Sequence, residues 1–211
     1  MQLNMTTFAG RRKQYIDETF RSLLQSEWRD SSIRLNVILG SDDDSHVRKF
    51  ADHPLVHIVP WDFEPNPSPR MNCTLNKIRA LCWGEDEQTL ICEDDVVFAL
   101  DWLSALREAV AELGDERYVL SLFAAHHQLE REPLLEGKRW IKRYPGPVLQ
   151  GAQALYYPSR TVRLEAAAYL NQHRRRACGD DLIGRYARSS NKLYATREVI
   201  VDHIGEVSCF H

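Results

Sequence analysis

Short apolar runs alternate with amphipathic segments along the chain, and this alternation predicts a sheet whose strands are joined by helices. Strand-like runs lie at residues 2–7, 33–39, 56–59, 89–92, 118–123, 148–157 and within 193–203. Apolar positions at helical spacing predict helices at residues 12–28, 46–50, 73–83, 101–113, 161–172 and 180–188. The order of these elements favours an α/β fold.

Two connections between these elements lack a regular pattern. Residues 60–69 contain four prolines, and so many fixed φ angles exclude a helix or a central strand. An irregular loop of this length inside a domain is typical of a functional loop or a lid. Residues 124–146 are charged and irregular, and we predict no helix or strand there.

The composition is that of a folded chain. Its 211 residues are 44% hydrophobic and 27% charged, which excludes a disordered tail and makes a single domain the expectation at this length. The 27 Lys and Arg residues stand against 30 Asp and Glu residues, for a net charge of −3. This balance argues against a general electrostatic attraction to nucleic acid.

Neither a membrane span nor a disulfide framework is predicted. No stretch approaches the roughly 20 consecutive apolar residues that a transmembrane helix needs, and the first residues lack the layout of a signal peptide. The five cysteines are odd in number and include no Cys-x-x-Cys pair. We therefore expect a soluble, cytoplasmic protein with free thiols, in which Cys92 is a small buried apolar residue.

Three consecutive acids interrupt an apolar segment. Glu93, Asp94 and Asp95 follow the strand at 89–92 and precede another apolar run at 96–98. Carboxylates at the end of a buried strand repel one another, and the carboxyl edge of an α/β sheet is where ligands bind. A divalent cation, Mg²⁺ or Mn²⁺, would relieve the repulsion and bridge the acids to a substrate phosphate. The alternative is an acidic turn that caps the following helix.

Two later segments carry further candidates. Asp180 and Asp181 stand at the start of a predicted helix, and either could be its N-cap. His203 follows a strand, where a lone histidine is more often structural than a ligand. Both segments are stronger candidates for a functional site because they occur together with the acids at 93–95.

The order of elements resembles the GT-A class of nucleotide-sugar glycosyltransferases over nearly the whole chain. Within that class, three segments are similar to the N-acetylglucosaminyltransferase IV family, whose members make branches on N-glycans. They are Leu90-Ile91-Cys92-Glu93-Asp94-Asp95-Val96, Leu182-Ile183-Gly184-Arg185-Tyr186 and His203-Ile204-Gly205-Glu206-Val207-Ser208. The resemblance implies a GT-A-like, Rossmann-type fold, with a mixed, mostly parallel sheet flanked by helices in a single domain at 1–211. Residues 1–100 would form its nucleotide-binding half, and residues 101–211 its acceptor and catalytic half.

The resemblance also implies an activity, the transfer of a sugar from a nucleoside diphosphate sugar to an acceptor hydroxyl. Such an enzyme needs a cation, Mn²⁺ or Mg²⁺, beside the leaving diphosphate and a base for the acceptor hydroxyl. Asp95 and His203 would ligate the metal directly, and Glu93 would reach it through water or hold the ribose. Asp181, with Asp180 as the alternative, would be the base, and an ionised carboxylate there implies inversion at the anomeric carbon.

Further residues would bind the nucleotide sugar at positions that the resemblance assigns. They are Thr6, Arg11, Asp42, Asp43, Asn76, Lys77, Glu93, Asp94, Gln150, Gly151 and Gln153. The first four would lie where the class holds uridine and diphosphate, and those at 150–153 would open the strand under the sugar. A basic turn before a helix is an equal alternative for Arg11, and a β-bulge is the alternative for Gly151.

The resemblance also supplies the expected donor. A UDP-sugar would donate GlcNAc or another hexose to a glycan or other hydroxyl acceptor. Two basic clusters, at 138–143 and 174–176, are by default solvated surface. Beside the cleft they would suit an anionic acceptor, such as a lipopolysaccharide core or an acidic glycan, with a nucleic acid as the least favoured case.

Two other classes share part of the pattern. A nucleotidyltransferase of sugar phosphates has similar carboxylates at strand ends but carries a Gly-rich basic loop after its first strand, and only Ala9-Gly10-Arg11-Arg12 stands there. A non-catalytic module that binds sugars through Ca²⁺ is the other alternative, and it predicts no affinity for nucleotides. The sequence does not predict the oligomeric state.

Overall fold

The computed structural model describes residues 1–7, 13–62, 68–114, 117–123, 129–144, 149, 151–190 and 192–205. Its strands are β1 (Gln2–Thr7), β2 (Leu35–Leu39), β3 (Val56–Val59), β4 (Thr89–Glu93), β5 (Val96–Phe98), β6 (Tyr118–Ser121), β7 (Ile141–Arg143), β8 (Ala154–Tyr157), β9 (Lys192–Thr196) and β10 (Val201–His203). Eight of them form one sheet in the order β3-β2-β1-β4-β8-β6-β9-β7, and β5 and β10 form a second, two-stranded sheet.

The large sheet is mixed and mostly parallel, as predicted. Parallel pairing joins β3 to β2, β2 to β1, β1 to β4 and β6 to β9. The antiparallel pairs are β4 with β8, β8 with β6 and β9 with β7. Every residue of β1, β2 and β4 is buried, because helices cover both faces of the parallel half.

Within the described residues, five helices flank the sheet: α1 (Lys13–Gln25), α2 (Pro69–Cys82), α3 (Trp102–Leu113), α4 (Arg160–His173) and α5 (Gly179–Ser190). One apolar cluster joins the sheet to α1 and α3, and a second joins its other face to α2, α4 and α5. Short 3₁₀ helices lie at Glu27–Asp30 and Arg48–Phe50. Among the described residues, no helix has the length and apolar composition needed to cross a membrane.

Through the small sheet, the chain that follows β9 returns to the acidic segment at 93–95. Strand β10 pairs antiparallel with β5, and His203 lies opposite Val96. The prediction of a single strand within 193–203 is therefore wrong. The chain leaves the large sheet after β9, and the backbone N–H groups of Ile200 and Val201 both donate to the carbonyl of Leu122.

Helix α2 begins earlier than its apolar periodicity predicts. The side chain of Ser68 accepts a hydrogen bond from the backbone N–H of Met71, and Pro69 occupies the first turn. Proline at this position costs no hydrogen bond because the N–H groups of the first turn have no partner within the helix. The predicted start at residue 73 is wrong because Pro69 opens the helix instead of preventing it.

Other element boundaries also differ from the predicted ones. Helix α1 ends at Gln25 because Ser26 caps the following 3₁₀ helix and accepts from the N–H of Trp28. Within 124–146, where no strand is predicted, Ile141–Arg143 forms β7 at the sheet edge. In the described part of 148–157, regular pairing begins only at Ala154.

Candidate active site

The acids at 93–95 lie at the carboxyl end of β4, and all are buried. Relative exposure is 8% for Glu93, none for Asp94 and 3% for Asp95. A solvated acidic turn would be exposed, and the next element is the strand β5, so the helix-capping alternative is wrong. Glu93, the last residue of β4, points to α2, where it contacts Lys77. Asp94 follows the strand and contacts Thr7 of β1.

Asp95 and His203 meet although they are 108 positions apart in the chain. The Nε2 atom of His203 lies 3.1 Å from Oδ2 of Asp95, and the N–H of Ile204 donates to the carbonyl of Asp95 at 3.0 Å. The pairing of β5 with β10 sets this contact, and His203 keeps 28% of its side chain exposed. The structure brings these two residues together, and their role as metal ligands stays a prediction.

Gly205 packs directly against this pair. A Cβ atom there would lie 2.1 Å from Oδ2 of Asp95 and 2.7 Å from Nε2 of His203, so a larger residue would displace both groups. One carboxylate oxygen and one imidazole nitrogen 3.1 Å apart fit two ligands of one divalent ion, and the nitrogen favours Mn²⁺ over Mg²⁺. In the part of the chain that the structure describes, no third His, Cys, Asp or Glu completes a metal-binding cluster.

Glu93 belongs to a separate, buried group of charges around Lys77. The Nζ atom of Lys77 lies 2.9 Å from Oε1 of Glu93 and also pairs with Asp180. Burial disfavours the ammonium charge, but Asp180 and Glu93 outweigh this effect and hold the pKa of Lys77 well above its usual value. The group joins helix α2, strand β4 and helix α5 at one point.

The start of α5 presents both predicted catalytic acids. Asp180 and Asp181 lie in its first turn, so the N-cap alternative is wrong for both. Asp180 also accepts from the N–H of Ala152 at 3.2 Å. A Cβ atom on Gly179 would lie 3.0 Å from Cδ of Lys77, which shows how closely α5 approaches α2. Asp181, the next residue of α5, is half-buried.

Asp94 joins the first strand and the loop after β2 to the site. The Thr7 hydroxyl donates to Oδ2 of Asp94 at 2.7 Å and lies 2.8 Å from Nε2 of His46. A hydroxyl has one hydrogen, so Thr7 must accept from His46, which sets the Nε2–H tautomer. Thr19 accepts from the N–H of Val96 and donates to the carbonyl of Asp94. No sequence pattern pointed to His46 beyond its place near the predicted nucleotide loop.

The other predicted nucleotide-binding residues hold strand ends or lie at the rim. Thr6 donates to the carbonyl of Cys92 at 3.3 Å, and Asn76, fully buried, donates to the carbonyl of Ile38 at 3.2 Å. Asp42 is exposed, and Asp43 accepts from the N–H of Ser45 at 3.0 Å.

The sugar-facing segment is only partly described. Gly151 has a φ of +79°, where a Cβ atom would be strained, and the carbonyl of Gln153 accepts from the N–H of Glu93 at 2.9 Å. Arg11 and Gln150 lie outside the described residues.

Arg79 is a further residue near the site that no sequence pattern indicated. Its guanidinium donates to the carbonyls of Leu39, at 2.8 Å, and Pro60, and pairs with Asp62 at 2.9 Å. Burial lowers the pKa of Arg79, an effect that Asp62 opposes. This side chain fixes the carboxyl ends of β2 and β3 next to the proline-rich loop. A lone arginine inside a helix gives no hint of this role.

No protein-family model matches the sequence, and no curated protein matches it. Solved structures share its fold. Galactosyltransferase LgtC, in complex with donor and acceptor sugar analogues, is 13% identical with a TM-score of 0.61, over 100% of this chain and 90% of that one. GalNAc-T7 with UDP, GalNAc and Mn²⁺ is 12% identical with a TM-score of 0.64, over 99% and 44%. The mannosyltransferase PcManGT from Pyrobaculum calidifontis, with GDP-Man and Mn²⁺, is 14% identical with a TM-score of 0.60, over 96% and 56%.

At these identities the comparisons show the fold alone. The chain has the GT-A fold of these glycosyltransferases, which confirms the predicted fold class. It corresponds to nearly all of LgtC but to only 44% of GalNAc-T7 and 56% of PcManGT. The narrower resemblance to the N-acetylglucosaminyltransferase IV family stays a prediction.

Proposed function

We propose that the protein is a metal-dependent glycosyltransferase that moves a hexose, with GlcNAc as the first candidate, from a UDP-sugar to an acceptor hydroxyl. The observation that carries the proposal is the contact between Asp95 and His203 near the carboxyl end of β4, 3.1 Å apart and packed so closely against Gly205 that no larger residue fits there. The GT-A fold and the nucleotide-sugar complexes of its structural neighbours support the same activity.

Asp95 and His203 would hold Mn²⁺ or Mg²⁺. The bound cation would neutralise charge on the leaving diphosphate. Glu93 is held by Lys77, so in this proposal it contributes through water or through the ribose rather than as a direct ligand. Thr6, Arg11, Asp42, Asp43, Asn76 and Lys77 are proposed to line or support the nucleotide site, and Asp94, Gln150, Gly151 and Gln153 to complete it around the sugar.

Asp181 is the proposed base for the acceptor hydroxyl. Asp180 is held by Lys77 and by the N–H of Ala152, which suits a positioning role better than proton transfer. Asp181 lies one residue further along, in the first turn of α5, and is half-buried. The carboxylate would take the hydroxyl proton as the acceptor oxygen attacks the anomeric carbon and the diphosphate leaves, so the sugar would invert.

Transfer assays on the purified chain test this proposal. UDP-, GDP- and CMP-sugars are offered with and without Mn²⁺, and donor hydrolysis and transfer are followed by release of the nucleotide. We expect activity with a UDP-sugar and Mn²⁺, and its loss by at least about a hundredfold in Asp95→Asn and Asp181→Asn. Asp44→Asn is the control, because Asp44 pairs with Arg48 at the surface. The anomeric configuration of the product, read by NMR, decides between inversion and retention.

Three outcomes would contradict the proposal. Pyrophosphate release from a nucleoside triphosphate and a sugar phosphate would identify a nucleotidyltransferase. Stabilisation by Ca²⁺ and a free sugar, with none from any nucleotide, would identify a binding module. Full activity of both Asp180→Asn and Asp181→Asn would remove the assigned base.

A further inference from the structure

The two basic clusters of the sequence have different surroundings. In the first, at 138–143, Lys138 donates to the carbonyl of Glu112, and Lys142 donates to the carbonyl of Leu129 at 2.8 Å. This cluster includes β7, an edge strand of the large sheet. Its charges therefore help to fasten an edge strand that lies four positions from β4 in the strand order.

The second cluster precedes the helix that carries the candidate base. Arg174, Arg175 and Arg176 form the turn between α4 and α5, and Arg176 is three residues before Gly179. Three residues of chain span at most about 11 Å, so Arg176 cannot be far from the first turn of α5. A Cβ atom on Gly179 would lie 3.8 Å from Cα of Thr74, and Arg70 is one helical turn before Thr74 on α2.

We call Arg70, Arg174, Arg175 and Arg176 the arginine rim. Arg70, Arg175 and Arg176 are exposed, and Arg174 is half-buried and donates to the neutral side chain of Asn171. Among the described residues, no carboxylate forms an ion pair with any of the four. Several other surface arginines of this chain do have a carboxylate partner, Arg117 with Glu165 for example.

The local charge is opposite in sign to that of the whole chain. Residues 160–190 contain seven arginines and three acids, whereas the net charge of the protein is −3. Favourable interaction with the negative end of α4 accounts for Arg174 at its C-cap, but this effect falls off within one turn. It does not account for Arg70, which stands in the first turn of α2, where a positive charge is unfavourable.

We propose that the arginine rim binds an acidic group of the acceptor, so that the enzyme glycosylates an anionic glycan bearing a phosphate or a carboxylate. Guanidinium groups bind both anions through paired N–H donors, and a cluster of them concentrates such acceptors at the cleft. The inference rests on the proposed function and names the substrate class of the same site.

Matched acceptor pairs test the inference. Each pair is a neutral glycan and the same glycan carrying a phosphomonoester or a uronic acid carboxylate, so the two arms also separate the two anions. With the wild-type chain we expect kcat/KM to be roughly tenfold higher for the acidic member and to fall as the salt concentration rises from about 0.05 M to about 0.5 M. The triple variant Arg174→Gln/Arg175→Gln/Arg176→Gln should lose this preference through KM, while donor hydrolysis reports that the variant is folded.

A matched control carries the same number of substitutions elsewhere. The control changes three exposed arginines that lie away from the start of α5. Arg29 lies on the 3₁₀ helix Glu27–Asp30, Arg34 directly precedes β2, and Arg107 lies on α3. Their triple Gln variant should keep the preference for acidic acceptors. A loss of equal size in both triple variants would overturn the inference.

The outcomes separate this inference from the proposed function. If the chain transfers sugar but treats the members of each pair alike, the inference is wrong and the function stands. If a DNA oligonucleotide is a better acceptor than every acidic glycan, the inference is also wrong. If no donor is turned over, the proposed function fails, and direct binding of the full chain to the immobilised pairs still decides whether the rim selects acidic glycans.

Discussion

Replacement of the buried ammonium group tests the charge arrangement behind the site. In Lys77→Met, Glu93 and Asp180 lose their shared partner. The side chain of Glu93 is only 11% exposed and would keep a desolvated charge, whereas Asp180, at 30%, regains contact with water. Removing one partner of a buried pair costs about 3–5 kcal/mol, and the partial exposure of Asp180 places the expected cost near the lower end, about 3 kcal/mol.

Urea unfolding followed by tryptophan fluorescence measures this cost. Trp28 and Trp102 are fully buried and report global unfolding. The control is Lys49→Met, which breaks an ion pair with Asp17 whose side chains are about half exposed. The control should lose less than about 1 kcal/mol. Equal losses in the two variants would refute the reasoning, because the buried group would then be worth no more than a surface pair.

A double variant and a pH series sharpen the same test. Lys77→Met/Glu93→Gln should recover part of the lost stability, because it removes the uncompensated charge. The folded-state pKa of Lys77 lies above its unfolded value, so its contribution is complete below pH 10.5 and is lost as the pH rises through the folded value. The difference between wild type and Lys77→Met should therefore be constant near neutral pH and shrink only in strongly alkaline solution.

Three further substitutions have defined outcomes. Gly205→Ala places a Cβ atom 2.1 Å from Oδ2 of Asp95, so it should reduce the affinity for Mn²⁺ at least about tenfold. Calorimetric titration measures this affinity, and an unchanged titration would exclude the assigned site. Arg163→Leu leaves the carbonyls of Leu81 and Gly84, each 2.8 Å from its guanidinium, without their donor, and should cost about 3 kcal/mol in urea unfolding. Its control, Arg107→Leu, changes an exposed arginine of α3 and should cost little. Ser68→Ala removes the cap of α2 and should lower the free energy of unfolding by about 1 kcal/mol, whereas Ser68→Asp should not.

The elements that the sequence predicted well are those whose signal is local. Strands β1 and β3 have the predicted bounds: apolar and polar residues alternate from Gln2 to Met5 in β1, and β3 ends directly before Pro60. Strand β7 was missed because three residues at a sheet edge, one of them buried, carry no periodicity. Strand β10 was merged with β9 because only Arg197 and Glu198 interrupt the run before Val199. The change of sheet depends on pairing with β5, about 100 residues earlier.

In the candidate site, too, residues with a local sequence signal were predicted, and contacts between distant residues were not. The acids at 93–95 stand out in the sequence because charge interrupts an apolar run, and the resemblance pointed to His203. The partners of Lys77 and Asp94 could not be found from the sequence. Asp180 is 103 positions from Lys77, and Thr7 is 87 positions from Asp94, and no local pattern links either pair.

These partners explain how three adjacent carboxylates can be buried together. Each acid turns to a different neighbour: Glu93 to an ammonium group, Asp94 to a hydroxyl, and Asp95 to an imidazole. An ammonium group cannot ligate a metal and a threonine hydroxyl is a weak ligand, whereas a neutral imidazole is a good one. The contact between Asp95 and His203 is therefore the one of the three in which both partners are good metal ligands. This favours Asp95 over Glu93 and Asp94 as the metal ligand of the acidic segment.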